Sequence, residues 1–108
     1  MGEWQAAADT CQQAYDVLLT WGYQRLACIA RVEQGRCLLR LDRLSEAQDA
    51  LEDALRIAVQ RSDRASQASA LSELAAVAES REETATATQR QREAANINAQ
   101  LVSSRTGD

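Results

Sequence analysis

Apolar residues recur along this chain at three- and four-residue intervals, the spacing of one face of an α-helix, and short polar or glycine-containing breaks divide it into five stretches. The first covers residues 3–20, with Ala7, Cys11, Ala14 and Leu18 on one stripe, and stops at the Trp21-Gly22 pair. The second, residues 23–41, carries Leu26, Ile29, Ala30, Val32, Leu38 and Leu41. Asp42 then stands where an N-cap is wanted, ahead of a third helix over residues 43–61 whose stripe is Leu44, Ala47, Leu51, Ala54, Leu55 and Ala58. Ser62 or Asp63 can cap a fourth over residues 64–80, and the fifth covers 82–102. Residues 103–108 are expected to fray. The pattern predicts one all-α domain over residues 1–102.

The apolar content is uneven along the chain. Of 20 Leu, Ile and Val residues, 14 fall within the first 60 positions and none within residues 81–96. The fifth helix can therefore bury little beyond Ala and Thr, and is expected to be the least protected element. All four aromatics, Trp4, Tyr15, Trp21 and Tyr23, lie at the opposite end.

Composition narrows the class further. A chain of 108 residues with no Pro and four Gly lacks the punctuation that many short strands need, which excludes a sandwich or barrel. Its 21 Ala favour helices packed closely through small side chains. Net charge is −4 with no basic block, so no nucleic-acid partner is expected. The longest apolar run, residues 26–30, is five residues long against about 20 needed to span a bilayer, and residues 1–10 lack the basic and apolar regions of a signal peptide. The expectation is a cytoplasmic protein without a membrane partner. Cys11, Cys28 and Cys37 form no CxxC pair and the chain has no His, so they read as small buried hydrophobes, with no metal and no cofactor. With no His as base and no Lys to activate, no catalytic residue is assigned. The adjacent acid pairs Glu52/Asp53 and Glu82/Glu83 diverge by about 100° on a helix and read as solvated faces.

A shift of 40 residues superposes the chain on itself. Ala7, Cys11 and Ala14 fall on Ala47, Leu51 and Ala54, and these on Ala87, Gln91 and Ala94. A fixed period in this range marks stacked units that bury their apolar faces only against their neighbours. The run GRCLLRLDRLSEAQDALEDAL, residues 35–55, resembles a tetratricopeptide repeat. Gly35 stands at the close-approach glycine, Leu38 at the aromatic, Leu51 at the Phe position, and Ala47 and Ala54 at the two small sites. Arg31 and Gln34 stand where Trp and Leu are usual, and Val59 replaces the usual Pro, which lets the second helix run on and lengthens the period from 34 to 40. This longer variety is similar to repeats inside large bacterial regulatory and signalling proteins. The next unit places Gln91 at the large apolar site and reads as a cap.

The resemblance implies an α-α superhelix of helical hairpins and a non-enzymatic module that binds protein or peptide, acting as the sensory, scaffolding or oligomerising part of a regulator. Its concave face is lined by the first helix of each hairpin, which nominates Ile29, Val32, Arg36, Leu39 and Arg40 from one unit and Ser69, Ser72, Glu73, Ala76 and Glu79 from the next. Ile29, Val32 and Leu39 would supply affinity while Arg36 and Arg40 select charge. Chaperone-binding members place Lys and Asn where Val32 and Arg36 stand, which disfavours that partner class. Trp4, Tyr15, Trp21 and Tyr23 are either an interface or a cover for the core. The likeness begins on a second helix, whose partner is expected upstream of Met1 or from another copy of the chain in a homodimer. The alternative is a dimerising, signal-transmitting bundle coupled to an output domain absent from this segment.

Overall fold

A computed structural model describes residues 2–106, with side chains as far as Ser103. Five α-helices follow one another: α1 (Glu3–Thr20), α2 (Gln24–Arg40), α3 (Leu44–Gln60), α4 (Arg64–Ser80) and α5 (Thr84–Thr106). There is no strand among the described residues.

Every link between helices is the same three-residue device, recurring every 20 residues. In each, the middle residue takes the left-handed conformation: Gly22 at φ 82°, Asp42 at 59°, Ser62 at 55° and Glu82 at 62°. Two bonds then satisfy the carbonyls left open at the helix end. In the first link Gly22 N–H donates to the Leu19 carbonyl at 3.1 Å and Tyr23 N–H to that of Leu18 at 2.8 Å, and the other three links repeat both bonds. Asp42 is thus the residue that terminates α2, not the cap of α3. Arg43 holds that cap position and makes no side-chain capping bond. Asp63 does cap α4, accepting from Ser66 N–H at 3.1 Å and from the Ser66 hydroxyl at 2.6 Å. Because each link uses three residues, α2, α3 and α5 start one or two residues later than the apolar pattern predicts. α5 is helical to Thr106, and of the tail expected to fray from Ser103, residues 107–108 lie outside the described ones.

Sequential helices pack as hairpins, and α2 additionally packs on α4. Among the described residues no comparable contact joins α1 to α3 or α3 to α5. The layer containing α2 and α4 is therefore the inside of the bend, with α1, α3 and α5 outside, and the architecture is a stack of helical hairpins. Small residues make that stacking possible. Ala27, Ala47, Ala54, Ala58 and Ala70 have no exposed surface. Gly35 approaches Leu51 so closely that a Cβ there would lie 2.5 Å from Leu51 Cγ, and Leu51 is itself wholly buried. The two end helices are more open: α1 fully buries only Ala8, and in α5 Gln91 is exposed and donates to Glu79.

Candidate functional site

The inner layer forms a trough between α2 and α4. Its upper part, about 90 Å³, is lined by Ile29, Val32, Glu33, Arg36, Ser66 and Ser69. It continues into a second part of about 190 Å³ bounded by Arg36, Ala68, Ser69, Ser72, Glu73 and Asn98. Arg36 spans the floor, its Nε donating to Glu73 Oε1 at 3.0 Å while Nη1 binds Glu33. Burial works against the guanidinium charge here, but bonding to Glu73 and Glu33 outweighs it and pushes the Arg36 pKa up. Arg36 is thus a tethered cation, paired across the two hairpins.

The ten residues nominated for the concave face do not stay together. Ile29, Val32, Arg36, Ser69, Ser72 and Glu73 line the trough. Val32 is buried and offers little surface, and Leu39 packs partly buried against the core. Arg40 turns toward α1, its guanidinium 5.2 Å from the Trp4 ring centroid. Ala76 is half-buried, and Glu79 receives Gln91 of α5. The aromatics divide as well. Tyr15 lies half-buried under Arg31, 4.8 Å from ring centroid to guanidinium carbon, whereas Trp21 and Tyr23 project from the first link. From that link an apolar edge leads toward the trough: Trp21 is 73% exposed, Tyr23 57%, Leu26 49% and Ile29 44%. Tyr23, Leu26 and Ile29 follow at three-residue intervals, so the edge winds along the start of α2.

A second polar feature lies on the outer side, where α1 and α3 flank α2. Arg31 donates from Nη1 to Gln34 Oε1 at 2.6 Å and to Gln12 Oε1 at 3.2 Å, and from Nη2 to Asp53 Oδ2 at 2.7 Å. Gln34, itself buried, donates to Gln12 at 2.6 Å. Burial disfavours the Asp53 charge, but the Arg31 and Arg56 guanidiniums outweigh this and hold its carboxyl below the usual carboxylate range. This network floors a groove of about 360 Å³ whose walls include Gln5, Asp9, Arg43, Glu46 and Asp49. One repeat further on, the groove between α3 and α5 is reduced to about 40 Å³, with Leu74 in place of Gln34. The sequence reading missed Gln12, Arg31, Gln34 and Asp53 as a group. The available signal was that Arg31 and Gln34 depart from the repeat pattern while their counterparts Leu71 and Leu74 do not.

The three thiols are held protonated. Burial is the main cause that pushes up Cys11, Cys28 and Cys37, with Cys11 and Cys37 also affecting each other and Glu33 adding to both. None has the lowered pKa of a nucleophilic cysteine. Among the described residues, no three His, Cys, Asp or Glu side chains gather as metal ligands, and no helix is long and apolar enough to cross a membrane.

A scan against protein-family models, a search of curated proteins and a search of solved structures each find no match to this chain.

Proposed function

We propose that the chain is a non-enzymatic, tetratricopeptide-like binding module that holds a protein or peptide in the α2–α4 trough, as a scaffolding or sensory part of a bacterial cytoplasmic regulator. The observation that carries this reading is the apolar edge Trp21, Tyr23, Leu26 and Ile29, four large exposed side chains leading toward a polar trough. Exposed apolar surface next to positioned polar groups is the usual make-up of a recognition face. Leu26 and Ile29 supply affinity by desolvation. Ser69, Ser72 and the Arg36–Glu73 pair supply hydrogen-bonding specificity, because Arg36 is already neutralised and does not act as a free cation.

A peptide library selected against the immobilised chain supplies the probe, and its affinity is then measured on Leu26→Ser/Ile29→Ser. Loss of at least tenfold in affinity with an unchanged helical circular-dichroism spectrum supports the reading; unchanged affinity contradicts it. The openness of α1 and α5 favours a homodimer as a second reading. Light scattering at tens of micromolar tests that, since a monomer of 11.9 kDa removes it.

A further inference from the structure

The links recur every 20 residues, so α3, α4 and α5 follow one another as α1, α2 and α3 do, and residues 40 positions apart are counterparts. On the outer side of the first unit, ring, cation and acid are stacked together. The Tyr15 ring centroid lies 4.8 Å from the Arg31 guanidinium carbon, Arg31 donates to Asp53 Oδ2 at 2.7 Å, and Arg56 donates to Asp53 Oδ1 at 2.7 Å. In the second unit the counterparts of Tyr15, Arg31, Asp53 and Arg56 are Leu55, Leu71, Glu93 and Asn96. The ring and both cations are gone, and the acid is kept. What remains is a pocket of about 330 Å³ between α3, α4 and α5, lined by these four residues together with Gln67 and Ile97 among others. Glu93 is half-buried, and its carboxylate has no hydrogen bond or ion pair among the described residues. Arg64, also on the wall, donates instead to the Gln67 and Gln100 amides. Gln67 stands where the first unit has the wholly buried Ala27, and it holds only long bonds, 3.4 Å from Arg64 and 3.5 Å to the Ala58 carbonyl.

We propose that this pocket is a binding site for a flat cation on an aromatic or apolar stem, the chemistry of an aryl amidine or an arginine side chain, with Glu93 as its counter-ion. Such a ligand restores from outside what Tyr15 and Arg31 supply from within the first unit. Its charged fork takes both Glu93 oxygens, the geometry in which guanidinium and amidinium groups meet a carboxylate. Its stem lies against Leu55, Leu71 and Ile97 and removes apolar surface from water. The Gln67 amide, nine-tenths buried and weakly bonded, offers a further donor and acceptor. A volume of about 330 Å³ is in the range of small-ligand sites and leaves room for a ring beside the cation. The pocket lies across α4 from the trough, with Gln67 and Leu71 on its side and Ser69 and Ser72 on the other, so its ligand is distinct from one held in the trough.

The experiment titrates the methyl-labelled 108-residue chain with benzamidine, with its neutral isostere benzamide, and with N-acetyl-arginine amide, and follows the methyl signals of Leu55, Val59, Leu71 and Ile97 by NMR. The proposal predicts saturable shifts at these methyls, with benzamidine bound about tenfold more tightly than benzamide, the size of one charge-assisted hydrogen bond. Glu93→Gln removes that preference with an unchanged helical circular-dichroism spectrum. Leu55→Tyr/Leu71→Arg, which copies the filling of the first unit, abolishes binding of both. Competition by N-acetyl-arginine amide supports a peptide side chain as the source of the cation, and binding of benzamidine alone supports a free aromatic cation. Equal affinity for benzamidine and benzamide, a preference that survives Glu93→Gln, or shifts centred on Asp9 and Asp49 would each overturn the proposal. Should the double variant fail to fold, Glu93→Gln decides alone, because it changes the charge at a half-buried position with almost no change of shape.

Discussion

Gly35→Ala puts a single methyl where α2 approaches Leu51 of α3 closely. The added Cβ would lie 2.5 Å from Leu51 Cγ, 2.6 Å from Cδ2 and 3.2 Å from Cδ1. Comfortable carbon contacts are about 3.5–4.0 Å, so the first two overlap by about 1 Å. Leu51 has no exposed surface to move into, and Cγ is the branch point of its side chain, not a flexible tip. Overpacking of this kind costs about 1–3 kcal/mol, against about 1 kcal/mol gained when Ala replaces a helical Gly. With two close overlaps and a rigid neighbour, the net effect is a destabilisation of about 1–2 kcal/mol. The account also predicts a reversal of sign. In a Leu51→Ala background, itself about 2–5 kcal/mol less stable, the obstacle is gone and Gly35→Ala becomes stabilising by about 1 kcal/mol. Urea titrations followed by helical circular dichroism on the four members of the cycle measure both numbers. If Gly35→Ala is neutral in the parent chain, or has the same effect in both backgrounds, Leu51 is not what requires glycine there.

Other substitutions follow from the same geometry. Glu82 holds a left-handed conformation that a side chain resists, so Glu82→Gly raises stability by about 0.5–1 kcal/mol, read as a higher thermal midpoint. Asp63→Ala removes the one side-chain cap seen at the helix starts α1 to α4 and costs about 1 kcal/mol in a urea titration. Replacing Arg31 and Gln34 together by Leu copies Leu71 and Leu74 of the next unit, and chemical denaturation should show stability retained or raised, because a hydrophobic replacement of a buried polar network is often neutral or better. The Asp53 carboxyl is depressed in the fold, so its contribution is present above the ordinary Asp range near 4 and is lost as pH falls through the lower folded value. Asp53→Asn therefore flattens that acid-side loss of stability, measured as thermal midpoint against pH.

The helices were legible because their stripes obey one rule. Ala47, Leu51, Ala54 and Ala58 recur at helical spacing and are buried together. The links were only partly legible. Gly22 announces a left-handed residue, but Asp42, Ser62 and Glu82 adopt the same conformation without its sequence signature, and Asp42 looks like an N-cap until the backbone places it at the end of α2. The trough residues were nominated by the concave face that the resemblance implies together with helix spacing, and Ile29, Arg36, Ser69, Ser72 and Glu73 line the space between α2 and α4. Spacing could not show that Arg36 is claimed by Glu73, or that Arg40 stacks on Trp4, because both depend on which helix lies opposite. The Arg31 network was hidden for the same reason: its members are scattered over three helices and converge only in the folded chain.

The most direct test of trough recognition is a titration of isotope-labelled protein with a library-selected peptide, followed by amide NMR shifts. The account predicts saturable shifts concentrated at Leu26, Ile29, Arg36, Ser69, Ser72 and Glu73. Shifts confined to the outer groove at Gln12, Arg31 and Gln34, or to the exposed face of α5, would contradict it, as would a selection that recovers no ligand.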